Sequence, residues 1–179
     1  MLGGTVFGST AFGGPDFSAN FDVEPKEHIG SIIEIVSFVD RALIERLHHY
    51  PDDLRTIDRR KCEELVAELF DGFGYEVELT KRTRDGGKDI IAIKRREVNL
   101  KFLIQCKRPD PGNPVRVSTV RELYGVKVDD GASKAILATT TYFTTDAKLF
   151  SGKHRWELDL RDIEHIKAWI EEYQKLKHQ

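Results

Sequence analysis

The chain reads as an α/β protein in which helices cover both faces of a mixed sheet. Three observations carry that reading. Segments with apolar residues at helical spacing are interleaved with short strand-like runs, in the order helix, three strands, helix, strand, helix, strand, helix. The run Lys134-Ala-Ile-Leu-Ala-Thr-Thr140 is mostly apolar, as a strand buried between layers must be. Residues 89–107 form two strand-like runs joined by a connection short enough for an antiparallel hairpin.

Residues 1–25 are rich in Gly, Ser and Thr with scattered Phe, and they show no periodicity. This composition predicts a flexible tail, or a segment that orders against a partner. Its glycines make no phosphate loop, since no Gly-Lys-Ser/Thr follows; Ser151-Gly-Lys153 is followed by His154 and fails the same test. From Glu27 to Tyr50, residues Ile29, Ile32, Ile33, Val36, Val39, Leu43, Ile44 and Leu47 recur every three or four positions. They predict one long amphipathic helix within residues 26–53, ended by Pro51-Asp-Asp. Its stripe packs either on the following domain or on a second copy of the chain. His48 and His49 are adjacent, so on a helix they point apart and read as a surface pair rather than a metal pair.

The main domain is expected over residues 54–179. Asp58 is a fitting N-cap for a helix over residues 59–71 that buries Leu65, Val66, Leu69 and Phe70, with Gly72 and Gly74 as breakers. Tyr75–Thr80 alternates as a strand does. After the hairpin, Val117–Val128 reads as a helix, and Thr144 or Thr145 can cap a short helix through Phe150. Trp156–Leu160 reads as a last strand. Ile163, Ile166, Trp169, Ile170, Tyr173 and Leu176 mark a closing helix.

The chain has 179 residues, 40% of them hydrophobic and 32% charged, which suits an ordinary globular protein with a real core. No apolar run approaches the roughly 20 residues of a membrane helix. No basic region followed by an apolar core begins the chain, so neither a secretory signal nor a membrane partner is expected. Cys62 and Cys106 lie far apart and outside any C-x-x-C pair; a reducing cytoplasmic setting follows, without a zinc or disulfide framework. The net charge of −2 conceals a split. Residues 1–58 hold four Lys/Arg against ten Asp/Glu, whereas residues 81–121 hold twelve against four. A local basic zone of this kind is a face for a polyanion or, on the plainer reading, a solvated charged hairpin.

That zone surrounds Asp85-Gly-Gly-Lys-Asp89-Ile-Ile-Ala-Ile-Lys94 and Phe102-Leu-Ile-Gln105-Cys-Lys107-Arg108. In β structure Gln105 and Lys107 share one face. A hairpin centred near residues 97–98 with Asp89 directly opposite Gln105 or Lys107 puts all three on that face; a one-residue slip separates them. Asp89 offers a charged oxygen and Gln105 a neutral one, which suits a hard divalent cation such as Mg²⁺ that keeps waters and takes a substrate phosphate as a further ligand. Lys107 is placed to orient a water or to stabilise charge building on phosphorus oxygens. Glu63 precedes Val66, Ala67 and Phe70 at helical spacing, so it stands at the edge of a buried stripe, aimed at the sheet or at a surface cation. The alternative to a phosphodiester-cleaving site is an Asp–Lys cross-strand pair with a polar neighbour, worth about 0.2–1 kcal/mol.

These residues resemble the PD-(D/E)-x-K nuclease superfamily, and within it the Mrr-like restriction endonuclease catalytic domain. The resemblance rests on Glu63-Glu64-Leu65-Val66-Ala67, Gly74-Tyr75-Glu76-Val77, Asp85–Ala92, Ile104-Gln105-Cys106-Lys107-Arg108, Val120–Gly125 and Ala138-Thr139-Thr140 with Phe143-Thr144, and covers about residues 54–170. It implies a restriction-endonuclease-like three-layer α/β/α core with a mixed central sheet, extended here by the N-terminal helix. It implies Asp89 as catalytic acid, Gln105 at the E/Q position, Lys107 as catalytic lysine and Glu63 as the first-helix glutamate, with Asp89 and Gln105 holding Mg²⁺ (Mn²⁺ as a substitute). Position 62 is Cys where an aromatic is usual. Gln105 instead of an acid lowers the negative charge, so the ion binds weakly until DNA supplies phosphates.

The activity so implied is Mg²⁺-dependent endodeoxyribonuclease cleavage in restriction or genome defence, with Lys81, Arg84, Lys88, Arg108 and Arg121 on DNA. A homodimer is expected for cutting two strands, and residues 1–50 are open to a further protein partner. Two alternatives stand beside it: a junction-resolving or repair nuclease, and a non-cleaving DNA-binding module of the same fold.

Overall fold

A computed structural model describes residues 39–80, 87–96 and 98–177. Five strands lie in chain order across one sheet: β1 (Glu76–Leu79), β2 (Ile90–Lys94), β3 (Leu100–Lys107), β4 (Lys134–Thr139) and β5 (Leu158–Arg161). β1, β2 and β3 are antiparallel neighbours, whereas β3, β4 and β5 run parallel. The sheet is therefore mixed, with a hairpin half and a crossover half. Two helices make the crossovers, α3 (Val117–Asp130) and α4 (Thr145–Lys153), as parallel strands require. The chain closes with α5 (Ile163–Lys177).

Both faces are covered. On one, α1 (Arg41–His49), α2 (Arg59–Gly72) and α5 pack over Ile90, Ala92, Ile104, Cys106, Ile136 and Ala138. On the other, Val120, Leu123 and Ala147 of α3 and α4 pack over Ala135, Leu137 and Leu158. Each fully buried Leu or Ile contributes about 1.5–3 kcal/mol, so these two layers fix the sheet that carries the site.

Local signals explain most boundaries. Asp58 caps α2 by accepting from the Arg60 N–H at 2.7 Å, and Thr144 caps α4 through the Ala147 N–H. Gly131 ends α3 in the left-handed region, at φ 71°. Gly74 (φ 77°) breaks the chain after α2, but Gly72 has another role. A Cβ there would lie 2.3 Å from the Tyr173 ring, so Gly72 lets α5 approach α2 closely.

The N-terminal helix departs from the expectation. The part of the predicted run before residue 39 lies outside the described residues. Within them the helix begins only at Arg41, because Asp40 adopts a non-helical conformation (φ −59°, ψ 127°) and caps the Ala42 N–H. The side-chain cap satisfies an otherwise orphaned amide and marks the start of α1. Ile44 and Leu47 are no more than 1% exposed and belong to the same core as α2 and α5. For this segment the stripe covers its own domain, and the core extends across the expected boundary at residue 54. His48 reaches Glu171 at 3.3 Å and His49 bonds the Glu45 carbonyl. Among the described residues no helix is long and apolar enough to cross a membrane.

Candidate active site

The site forms where β2 begins and β3 ends. The hairpin register sets Ile90 against Ile104 and Lys94 against Leu100, so a regular continuation would face Asp89 with Gln105. The ladder instead slips at its last step. The Asp89 N–H donates to the Ile104 carbonyl at 3.0 Å, and the Asp89 carbonyl accepts from both the N–H and the hydroxyl of Thr80. With its backbone so clamped, the Asp89 carboxylate accepts from the Cys106 N–H at 2.7 Å. It is thereby pinned to β3 between Gln105 and Lys107 rather than directly across from either.

Gln105 is 5% exposed, and its Oε1 is buried with no hydrogen-bond partner among the described residues. An unmade buried hydrogen bond costs about 1–3 kcal/mol. The amide lies close to Gly87, where an added Cβ would stand 2.7 Å from Nε2; Gly87 also has φ 82°. The glycine of the Asp-Gly-Gly motif thus makes both the turn and the room for Gln105.

Glu63 is 3% exposed, so the helical stripe does aim it inward. Its two oxygens accept from Arg59 Nε and Arg60 Nη1, each at 3.1 Å. Arg59 also brings Nη2 to 3.8 Å from Asp89 Oδ1. Burial pushes the Asp89 carboxyl above the usual carboxylate range. The Cys106 N–H opposes that rise, Glu63 adds to it, and Arg59 and Lys107 counter it. Cys106 is no nucleophile: a hydrogen bond with Cys62 and burial hold its thiol well above the ordinary range. The two buried cysteines thus pack α2 against β3, which accounts for the small residue at position 62.

Beside Lys107 opens a cleft of about 350 Å³. Arg59, Lys107, Arg108 and Arg116 line it, with Ser118 and Thr119 from the first turn of α3. That helix start has no side-chain cap, so its amides add positive character. The Nε of Arg108 is buried without a partner among the described residues. The sequence reading does not single out Arg59, Ser118 or Thr119, and it counts Arg116 in the basic zone without assigning it to DNA. The signal available was Arg59 one helical turn before Glu63, and hydroxyls opening a helix just after a basic strand end.

The other cations predicted for DNA fare differently. Lys81 and Arg84 lie outside the described residues. Lys88 is paired with Asp130 at 2.5 Å, an acid that Lys101 also holds. Burial opposes ionisation of Asp130, but the two lysines win and its carboxyl falls below the ordinary value. Lys88 thus serves an ion pair with the C-terminal end of α3 in place of an open cationic surface. Arg121 is exposed and stacks over Phe150 at 5.4 Å.

Among the described residues no three His, Cys, Asp or Glu side chains gather as a metal cage. A Mg²⁺ site needs less, since one or two carboxylates, waters and substrate phosphates complete the shell. Asp89 with the orphaned Gln105 oxygen fits that demand.

A five-stranded mixed sheet between helices, with an acid, an amide and a lysine at the hairpin end, defines a restriction-endonuclease-type fold. The chain belongs to the restriction endonuclease family of Mrr-type catalytic domains, whose model matches residues 54–170. It is 29% identical over 129 residues to protein y4cE of Sinorhizobium fredii (strain NBRC 101917 / NGR234), covering 71% of this chain and 33% of that protein. It superposes on the DNA modification-dependent restriction endonuclease AspBHI with a TM-score of 0.55 at 19% identity, over 76% of this chain and 37% of that one. MspJI restriction endonuclease, solved with a 27-mer oligonucleotide, gives a TM-score of 0.47 at 17% identity, over 72% of this chain and 30% of that one. The chain thus spans about a third of the length of these relatives.

Proposed function

We propose that this domain hydrolyses DNA phosphodiester bonds with the help of Mg²⁺, as the cutting part of a restriction or defence enzyme. The observation that carries the reading is the buried Gln105 oxygen, without a hydrogen-bond partner among the described residues, on the strand that also holds the Asp89 carboxylate. Asp89 and Gln105 would hold the ion, with Glu63 behind them. The chemistry that such an ion supplies is a more acidic attacking water and neutralisation of charge at phosphorus.

The protein's own groups do the rest. The Cys106 N–H fixes the rotamer of Asp89, so the ligand oxygen is in place before substrate arrives. Lys107 stands at the mouth of the cationic cleft, where its ammonium donates to the oxygens of the phosphate under attack. Arg108 and Arg116 hold the backbone of the strand being cut, which fixes register without reading sequence.

The test is a substrate panel. Supercoiled, linear, branched and methylated DNA are incubated with the protein in Mg²⁺ or in chelator. Mg²⁺-dependent nicks or breaks support the reading. Cutting confined to branched DNA turns it toward junction resolution, and tight binding without any cutting turns it toward a non-cleaving module.

A further inference from the structure

We infer that Arg59 is an internal counter-ion that occupies the divalent cation's electrostatic place between Glu63 and Asp89, and that it passes to a DNA phosphate in the adjoining cleft when the cation binds. The inference rests on the nuclease reading above.

Arg59 opens α2, and its guanidinium faces two ways. It donates to Glu63 Oε1 at 3.1 Å and stands 3.8 Å from Asp89 Oδ1, the oxygen of Asp89 not taken by Cys106. It also lines the cleft with Lys107, Arg108 and Arg116. Two carboxylates this buried repel each other, and a cation between them relieves the repulsion. In the metal-free protein Arg59 is that cation.

Were Asp89 to hold a divalent ion, the guanidinium would be repelled from the carboxylate that it now faces. Arg cannot yield by losing its proton, so it must move. Its side chain is 55% exposed, which leaves a path to swing. Glu63 is not stranded by the move, because Arg60 still donates to its other oxygen. The cleft that receives Arg59 is already crowded with positive charge, and only an anion makes the new position favourable. A DNA phosphate is the anion that the nuclease reading supplies. Metal and DNA then assist each other, and by linkage each raises the other's affinity by the same factor.

The test measures Mn²⁺ binding, from the free-ion electron paramagnetic resonance signal, with and without a short duplex, corrected for Mn²⁺ on the duplex alone. Wild type, Arg59→Gln, Arg59→Lys and Asp89→Ala are compared after thermal unfolding confirms each fold. Arg59→Gln should bind Mn²⁺ about 5-fold or more tightly without DNA, and the enhancement by DNA should shrink. Arg59→Lys keeps the charge and should stay near wild type. Unchanged or weaker Mn²⁺ binding by Arg59→Gln, with Asp89 still required, overturns this inference and leaves the nuclease reading intact. Binding by wild type that ignores Asp89→Ala overturns the nuclease reading and this inference with it.

Discussion

The Asp89 carboxylate is bonded at 2.7 Å to the backbone N–H of Cys106, the residue between Gln105 and Lys107. One hydrogen bond thereby ties the acid just before β2 to the segment that presents the amide and the lysine. It also holds a carboxylate in a place that burial disfavours.

Asp89 should therefore destabilise the metal-free protein near neutral pH. Its folded pKa is raised, so the stability linked to it is full below the unfolded value of about 4 and is lost as pH rises through the folded value. Asp89→Asn should melt higher than wild type at pH 7 in chelator, by about 2–4 °C for each kcal/mol relieved. The gap should close toward pH 4. Thermal melts from pH 4 to 8 check this, and a variant that melts lower at neutral pH contradicts it.

Gln105 should trade stability for metal binding. Gln105→Leu removes a buried oxygen that has no partner among the described residues, and should gain about 1–3 kcal/mol without metal. It should also lose Mn²⁺ affinity. Gln105→Glu adds a charge beside Asp89 and should do the reverse on both counts. Denaturant unfolding and Mn²⁺ titration read the two effects.

DNA binding should fall steeply with salt, as phosphate contacts release counter-ions. Arg108→Ala and Arg116→Ala should each lower the slope of log affinity against log salt by about 1, whatever the DNA sequence. Lys88→Ala should leave that slope unchanged, because Lys88 already serves Asp130.

Gly72→Ala should cost about 1–3 kcal/mol, since its methyl meets the Tyr173 ring. The Tyr173 hydroxyl bonds Glu68 at 2.7 Å, so the ring is held from moving aside. Pairing the change with Tyr173→Leu should cost less than the two changes summed, and chemical denaturation of the four proteins measures the difference.

Local chemistry was readable from sequence wherever one segment decides it. Asp58, the alternation of Tyr75–Thr80 and the apolar run of β4 each act within a few residues, so α2, β1 and the buried strand follow from them. The inward placement of Glu63 follows from the same periodicity. Contacts over long separations were not readable. Lys88 finds Asp130 across 42 positions, and nothing near Lys88 announces it. Arg59 lies outside the basic stretch, and only helical geometry, which sets it one turn from Glu63, points to it. The start of α1 at Arg41 is not visible in an apolar spacing that runs on through Asp40; one capping bond decides it.

On the proposed reading, Asp89 and Lys107 act together in cutting DNA. Its most direct test is a plasmid-nicking time course with wild type, Asp89→Ala and Lys107→Ala, each in Mg²⁺ and in chelator. Wild type should convert supercoiled DNA to nicked or linear forms only with Mg²⁺, while both variants stay folded, bind DNA and lose cleavage by about 100-fold or more. Undiminished nicking by either variant, or nicking by wild type in chelator, would contradict the claim.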